Sequence, residues 1–171
     1  MGYVNDTHTC YYIPPTLAHR VTGTWSNAAG QVADTIVESV NDANQTSKLT
    51  IPIVVPSNSS DAKGFKLTSI EIDYEVTGAA LEEVTAVVNK VTRGAEGAVA
   101  VVAAQAFSYD TGHDAANERN TQDEHVMTLT LTTPVWVEDD HVIQVQLTNV
   151  AGAGGGVFDF IGMRANYTYR L

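Results

Sequence analysis

The histidines and carboxylates between Asp110 and His125 form the densest group of side chains that could bind a metal. Neutral imidazole and carboxylate are both suitable ligands for divalent cations, and His113 lies in this stretch as well. The spacing matches no metal-binding motif, because the sequence contains neither HExxH nor a Cys/His pair. A polar loop between strands contains such residues by composition alone. We therefore expect no bound metal here.

The same stretch predicts a structural cluster of His113, Arg119 and His125. Arg119 is its only Lys or Arg residue, and Asp114 and Asp123 are nearby acidic partners. Ion pairing and hydrogen bonding within the loop are the expected roles of these side chains.

Histidine also follows acidic residues at positions 123–125 and 139–141. Because histidine changes its charge near neutral pH, either group could act as a pH switch. The alternative is that the acidic residues only solubilise the loop ends before two strands. We favour this second interpretation.

The sequence contains no recognisable nucleophile. Ser69 and Ser108 lack the GxSxG elbow, and Cys10 lies in an aromatic segment without an activating context. We expect Cys10 to be a small buried hydrophobic residue. The glycine run at residues 152–156 lacks the GxxxxGK[ST] pattern of a phosphate loop. These observations predict a protein that is not an enzyme and has no catalytic or cofactor-binding residues.

Aromatic side chains offer a different kind of site. Trp25, Trp136 and the loop at Tyr109 are candidate contacts for sugar rings, as in a carbohydrate-binding module. Single aromatic residues in β proteins more often pack against the core or at strand ends. A glycan-binding surface is therefore the alternative hypothesis and not the first.

The charge balance excludes several classes of partner. The 171 residues include 9 Lys and Arg against 20 Asp and Glu, for a net charge of −11 at pH 7. Nucleic-acid binding needs clustered basic residues, which this chain lacks. No apolar run approaches the roughly 20 residues that span a bilayer, and the first residues lack the regions of a signal peptide. We expect no nucleic acid, no membrane, no export signal and, with one cysteine, no intrachain disulfide.

β-branched residues dominate the composition. Val, Thr and Ile together number 50, whereas Leu occurs 8 times, and β-branched side chains fit a pleated sheet. The clearest strand covers residues 65–76. Its side chains alternate, with Ile70, Ile72 and Tyr74 on the apolar face that should line the core. A short turn then predicts an antiparallel hairpin with a second strand at residues 83–92.

Further strands are predicted at residues 49–55, 98–107, 125–133, 141–147 and 157–169. Weaker candidates lie at 11–13, 21–25 and 31–37, and a short helix is predicted at 115–120. Pro52 lacks the amide proton that a central ladder needs, which predicts an edge or an irregularity there, and Gly162 inside a strand predicts a bulge or a close backbone approach. Roughly eight to ten strands predict an all-β fold, a single antiparallel β-sandwich of jelly-roll type. One domain over residues 1–171 is expected, with residues 1–45 a less certain N-terminal arm.

The segment at residues 98–107 is apolar on both faces of a strand. Neither face is suited to water, so we expect part of it to lie in the interface of a closed homo-oligomer, with a trimer favoured. The candidate interface residues are Ala98, Ala100, Val101, Val102 and Ala104. The alternative is that the chain's own N-terminal segment covers the second face.

Three stretches together carry a resemblance to a known group of proteins. They are residues 64–76 with 79–85, residues 113–134, and residues 158–162 with 167–170. They resemble uncharacterised β-rich virion structural proteins of tailed phages and environmental viruses, over about residues 64–171. The resemblance implies a capsid decoration, head-fibre or tail-associated protein that assembles in the host cytoplasm with other virion proteins.

The predicted function is therefore a non-enzymatic virion structural protein that works as a homo-oligomer. A glycan- or receptor-binding β-sandwich module is the alternative. A metal-dependent hydrolase that uses His113 and His125 ranks third.

Overall fold

The computed structural model describes residues 7–27, 36–53, 64–94, 100–138 and 140–170. Within these ranges the chain forms strands, one short α-helix and one 3₁₀ helix. In chain order the elements are β1 (Thr7–Ile13), the 3₁₀ helix (Pro15–Leu17), β2 (His19–Thr22), β3 (Trp25–Asn27), β4 (Val37–Asn41), β5 (Thr46–Ile53), β6 (Gly64–Thr77), β7 (Leu81–Thr92), β8 (Val101–Gln105), β9 (Phe107–Tyr109), α1 (Ala116–Asn120), β10 (Glu124–Trp136), β11 (His141–Ala151) and β12 (Gly156–Arg170).

The strands pair into two antiparallel sheets that form a sandwich. The seven-stranded sheet has the order β3-β4-β12-β6-β10-β9, and β1 pairs with the second half of β12. The five-stranded sheet has the order β2-β5-β11-β7-β8. The predicted all-β class and antiparallel sandwich are confirmed. No helix in the described ranges is long and apolar enough to cross a bilayer.

The core lies between the sheets and consists of alternate residues of the central strands. Ile70, Ile72 and Tyr74 of β6 are fully buried, as their alternation predicts. Val145 and Leu147 of β11 are buried on the inner side of the other sheet. Burial of each such side chain contributes about 1.5–3 kcal/mol, so these inner faces hold the sandwich together.

β6 and β7 do not form the predicted hairpin. β6 pairs with β10 and β12 in one sheet, whereas β7 pairs with β11 and β8 in the other. The connection at residues 78–80 therefore crosses between the sheets. Alternation identifies the buried face of a strand but not its neighbour, so a short turn is compatible with both arrangements.

The apolar segment at residues 98–107 is not one strand, which corrects the sequence prediction. β8 forms an edge of the five-stranded sheet and β9 belongs to the other sheet, with the crossing at Ala106. Ala100, Val101, Val102 and Ala104 are all exposed, the two valines at 66% and 59%. Ala98 lies outside the described residues. The described part of the chain therefore covers neither face of β8.

Smaller predictions are confirmed. Within the described ranges β2 pairs with β5 at residues 48–50, so Pro52 lies beyond the paired part of this edge of β5. The register of β12 shifts between Phe160 and Gly162, where a bulge was expected. The short helix is α1, and the N-terminal strand β1 pairs with β12 along its whole length.

Candidate functional site

The outward side of the seven-stranded sheet carries an ordered polar surface, which we call the outer face. It is formed by the outward side chains of β1, β12, β6 and β10, which lie side by side. Three rows cross β1, β12 and β6 in register, namely His8–Thr168–Lys66, Cys10–Asn166–Ser69 and Tyr12–Arg164–Glu71.

Tyr12 presents an exposed aromatic ring that is fixed on this face. The residue is 58% exposed, and its hydroxyl donates to the carbonyl oxygen of Ile161 at 3.1 Å. The ring covers Gly162, where any side chain would collide with the phenol. Gly162 therefore permits the close approach of the ring to the sheet. The described residues leave more than half of Tyr12 exposed to solvent.

Polar side chains form a connected strip beside Tyr12. Arg164 Nη1 lies 3.2 Å from Glu71 Oε2, and Asn166 Nδ2 donates to Glu71 Oε1 at 2.8 Å. The same amide lies 3.2 Å from Ser69 Oγ, to which it donates. Because a guanidinium has five donors and a carboxylate about four acceptor positions, the strip keeps spare hydrogen-bonding capacity.

A groove of about 350 Å³ adjoins the strip. It is lined by His8, Thr9, Cys10, Thr68, Ser69, Asn166 and Tyr167. A shift in the β6–β12 register at Thr68 shapes its floor, where Thr68 Oγ1 donates to the carbonyl oxygen of Asn166 at 3.0 Å. The volume is within the range of small-ligand sites.

Cys10 is exposed in this groove, which corrects the expectation of a buried cysteine. The aromatic neighbour Tyr11 faces inward and packs edge-on against Tyr167 at 5.8 Å between ring centroids. Since strand residues alternate, Cys10 must face the other way, together with Tyr12.

Two of the aromatic residues predicted as sugar contacts serve the core instead. Trp25 packs against the core, and its indole N–H donates to the carbonyl oxygen of Thr22 at 2.7 Å. Tyr109 also packs against the core, and its hydroxyl accepts the Ala86 N–H at 3.3 Å. These two rings are not available to a ligand on the outer face.

Trp136 lies on the same outer face as Tyr12, opposite Lys66, whose ammonium is 5.4 Å from the indole ring. Sequence reasoning identified Trp136 but missed Tyr12. Either of the adjacent tyrosines could have faced the core, so the pattern alone did not separate them. The available signal was Gly162, because glycine inside a strand also indicates close approach by another group.

Four carboxylates lie in register at the other end of the outer face, namely those of Glu38, Asp159, Glu75 and Glu124. Asp159 is buried, and its Oδ1 atom has no hydrogen-bond partner among the described residues. The pKa of Asp159 is raised to about 6. The largest cause is burial of the carboxyl, and the negative charges of Glu38 and Glu75 add to it. This end of the face is therefore unfavourable for anionic ligands.

The predicted loop residues His113, Arg119 and His125 come together around α1 with Asp110, and we call these four residues the α1 cluster. His113 Nδ1 lies 2.8 Å from Asp110 Oδ1, and His113 Nε2 lies 3.3 Å from His125 Nδ1. His125 Nε2 is 3.0 Å from the carbonyl oxygen of Thr121. All four ring nitrogens therefore face a protein partner.

The hydrogen-bond directions assign protons within the α1 cluster. The Thr121 carbonyl and an ionised Asp110 can only accept, so His125 Nε2 and His113 Nδ1 each carry a proton. The two remaining nitrogens face each other at 3.3 Å, so the two rings are linked to each other, to Asp110 and to Thr121.

Asp110 is suited to accepting the hydrogen bond from His113. Burial alone would raise its pKa, but hydrogen bonds from Thr128 N–H, the His113 ring and Gly112 N–H outweigh burial and hold the pKa below its usual range. The carboxylate therefore stays ionised beside the two imidazoles.

Arg119 is buried and binds backbone carbonyls, which corrects the predicted ion pairs with Asp114 or Asp123. Its Nε donates to Val84 at 3.0 Å, and Nη1 donates to the carbonyls of His113 and Asp114. The guanidinium thus attaches the loop to β7. The arrangement is that of a structural cluster.

No protein-family model and no curated protein matches the chain. Solved structures with similar geometry include one described as a study of the promiscuous specificity of carbohydrate-binding modules of the β-sandwich superfamily, with 14% identity, 97% of this chain covered and a TM-score of 0.37. This chain spans 56% of the length of that structure.

Two others are TmCBM61 in complex with β-1,4-galactotriose and a family 11 carbohydrate-binding module from Clostridium thermocellum in complex with a mixed-linked tetrasaccharide. The first has 12% identity, covers 96% of this chain and 88% of the other and gives a TM-score of 0.37. The second has 8% identity, coverages of 95% and 85% and a TM-score of 0.34. At these scores the likeness carries no argument about function.

Proposed function

We propose that the chain is a non-catalytic β-sandwich module that binds a glycan across its outer face. The observation that carries the proposal is the exposed Tyr12 ring, fixed over Gly162 beside a strip of polar side chains. A sugar ring has an apolar C–H face and a rim of hydroxyls. An aromatic ring packs on the first, and carboxylate, guanidinium and amide groups bind the second.

The spacing of the two outer-face aromatics favours a chain of sugars over a single residue. Tyr12 and Trp136 lie on β1 and β10, three steps apart in the sheet. Strands are about 4.8 Å apart, so the rings are separated by roughly 14 Å across the strands. The groove at Cys10 and Asn166 lies between them.

The charge distribution favours a neutral glycan. Arg164 is already paired with Glu71. The row that contains Asp159 adds negative charge at the other end of the face, within a chain of net charge −11. Polymers of uronic acids should therefore bind more weakly than neutral polysaccharides.

The test is affinity electrophoresis in gels that contain soluble neutral polysaccharides, followed by calorimetry with oligosaccharides of the retarding polymer. Tyr12→Ala should weaken binding about tenfold or more, and Tyr12→Phe should keep most of it because the ring remains. Val87→Ala is the matched control, since Val87 is 40% exposed on the five-stranded sheet. If no neutral polysaccharide binds, or if Tyr12→Ala binds like the wild type, the proposal is wrong.

Assembly as a virion structural protein stays a second proposal, and one observation favours self-association. Val142, Val91 and Val102 lie side by side on the outward side of the five-stranded sheet, next to the edge of β8 that no described strand pairs with. Val142 and Val102 are 43% and 59% exposed. A second copy of the chain that covers this row would remove apolar surface from water and pair this edge.

Light scattering on the wild type and two variants tests this assembly. Val102→Glu should give a folded monomer, because the charge would lose its water in the interface. Val101→Glu is the control, since its side chain points to the other side of β8. A wild type that is monomeric at micromolar concentration would reject assembly through β8. Capsid or tail genes beside the coding gene would support the virion role, and their absence would count against it.

A further inference from the structure

The turn between β10 and β11 brings a histidine and two carboxylates together, and we call Glu138, Asp140 and His141 the turn site. The His141 N–H donates to the Glu138 carbonyl at 3.1 Å and closes the turn. The Arg93 N–H donates to the Asp140 carbonyl at 2.9 Å and ties the turn to the end of β7. The three side-chain donor atoms all lie within 4.8 Å of one another.

The side chain of His141 is largely buried, but among the described residues it lacks the hydrogen bonds that a buried imidazole normally makes. That side chain is 7% exposed, and Nδ1 has no hydrogen-bond partner in the described part of the chain. Nε2 faces the turn site, 3.3 Å from Asp140 Oδ1 and 3.6 Å from Glu138 Oε2. Neither contact has the geometry of a hydrogen bond, so both are charge contacts only.

We propose that the turn site binds one divalent transition cation of the zinc class. Zinc bonds to imidazole nitrogen and carboxylate oxygen are about 2.0–2.2 Å long, and tetrahedral geometry then separates two ligand atoms by roughly 3.3–3.6 Å. The two separations from His141 Nε2 fall in this range. The fourth position would be taken by water.

Charge balance favours a dication over a protonated His141. Among the described residues, the imidazole is the only basic group within 4.0 Å of either carboxylate. A single imidazolium would leave one negative charge uncompensated and would bury its own charge. A dication neutralises both carboxylates and keeps the imidazole neutral. For residues 139–141 we therefore propose a metal site, in place of the pH switch considered from the sequence. A bound metal there would stabilise the β10–β11 connection.

The unpartnered Nδ1 atom of His141 determines the metal affinity that we expect of the turn site. A metal-bound histidine usually donates its other N–H to an acceptor, and loss of that partner typically costs 10–100-fold in affinity, as an order of magnitude. His141 has no such acceptor among the described residues. We therefore expect binding weaker by about this factor than at a structural zinc site with a complete set of partners.

The experiment is a titration of the full chain with ZnCl₂ by calorimetry and with CoCl₂ by visible absorption. One equivalent of cobalt should give the intense bands of a four-coordinate ion. Glu138→Gln and Asp140→Asn should each weaken both metals by about tenfold or more while the melting temperature of the metal-free protein stays close to that of the wild type. These two substitutions keep the shape of the exposed turn.

Two controls separate this site from nonspecific binding. Glu83→Gln removes an exposed carboxylate on β7, and His19→Gln removes an exposed histidine on β2. Both should leave the affinity unchanged. Zinc binding that is lost equally in these controls, or that is insensitive to Glu138 and Asp140, would mean an adventitious ion only. No binding at millimolar zinc would also reject the proposal.

Discussion

The α1 cluster and the turn site both place buried histidine beside carboxylates, but they leave the imidazoles in different states. In the α1 cluster every ring nitrogen of His113 and His125 has a protein partner. In the turn site neither nitrogen of His141 makes a hydrogen bond to the described residues. In the α1 cluster every ring nitrogen is therefore occupied by a hydrogen bond, whereas in the turn site the imidazole has a nitrogen lone pair that could bind a metal.

The difference shows that a metal site needs ligand atoms that are not already used in hydrogen bonds, and that a high density of His, Asp and Glu residues is not enough. Asp110 is held by two backbone N–H groups and by His113, so it has little capacity left for a cation. Asp159 is the carboxylate counterpart of His141, since one of its oxygens is buried without a partner. Satisfied groups stabilise the fold, whereas unsatisfied groups cost stability unless a ligand or a proton completes them.

The largest expected effect is the loss of Arg119 from the satisfied region. Arg119→Leu should lower the free energy of unfolding by about 3 kcal/mol or more, because the buried carbonyl of Val84 and the part-buried carbonyl of His113 lose a charged donor. Urea denaturation measures the change. Arg164→Ala is the control, and it should cost no more than about 1 kcal/mol because its pair with Glu71 is exposed. Equal losses would contradict the assignment of Arg119 as the buried anchor.

The next largest effect on the free energy of unfolding concerns Asp159, where substitution should stabilise the protein. Its folded-state pKa of about 6 lies above the usual value of 3.8, so the folded state binds more protons between these pH values. Stability from this group therefore falls as pH rises from about 4 to 6. Asp159→Asn should stabilise the protein at pH 7 by at most about 3 kcal/mol, since each pH unit is worth roughly 1.4 kcal/mol.

Thermal melts of Asp159→Asn and the wild type across pH 4–8 measure this difference. The two melting curves should approach each other towards pH 4, where the wild-type carboxyl is protonated in the folded state and becomes protonated in the unfolded state. A constant difference over the whole range would show that Asp159 does not titrate as its burial indicates.

Leucine at the two histidine positions tests the comparison directly. His125→Leu should cost about 1–3 kcal/mol, because the His113 ring and the Thr121 carbonyl lose their partner. His141→Leu should change the metal-free stability by roughly 0.5 kcal/mol or less, since it removes an imidazole that makes no hydrogen bond. Urea denaturation in the presence of a chelator gives both values. A larger loss at His141 than at His125 would reverse the comparison.

The smallest expected effect is confined to acid. The pKa of Asp110 is held below its usual value, so its contribution to stability is present at neutral pH and is lost as pH falls below about 4. Asp110→Asn should therefore flatten the acid side of the stability curve while it leaves the shape at pH 6–8 unchanged. Melting temperatures at pH 2–5 test this, with Asp114→Asn as a control on the same loop.

The sequence by itself determined the fold class and the buried faces. An excess of β-branched residues and a strict alternation at Ile70 and Ile72 leave a pleated, half-buried sheet as the consistent solution. Pro52 and Gly162 marked a local edge and a bulge, because each restricts the backbone locally. These properties depend on neighbours in the chain, which a sequence displays.

The tertiary structure decided the strand neighbours, the outer face and the state of the histidines. The run of small apolar residues before Phe107 shows no alternation of apolar and polar side chains. Nothing in it therefore indicated that the chain would change sheets at Ala106. Tyr12 became an exposed platform because Gly162, 150 residues later, pairs close to it. His141 differs from His125 because of which carbonyls and carboxylates packing brought to each ring, and such contacts between distant segments are set only when the two sheets close on each other.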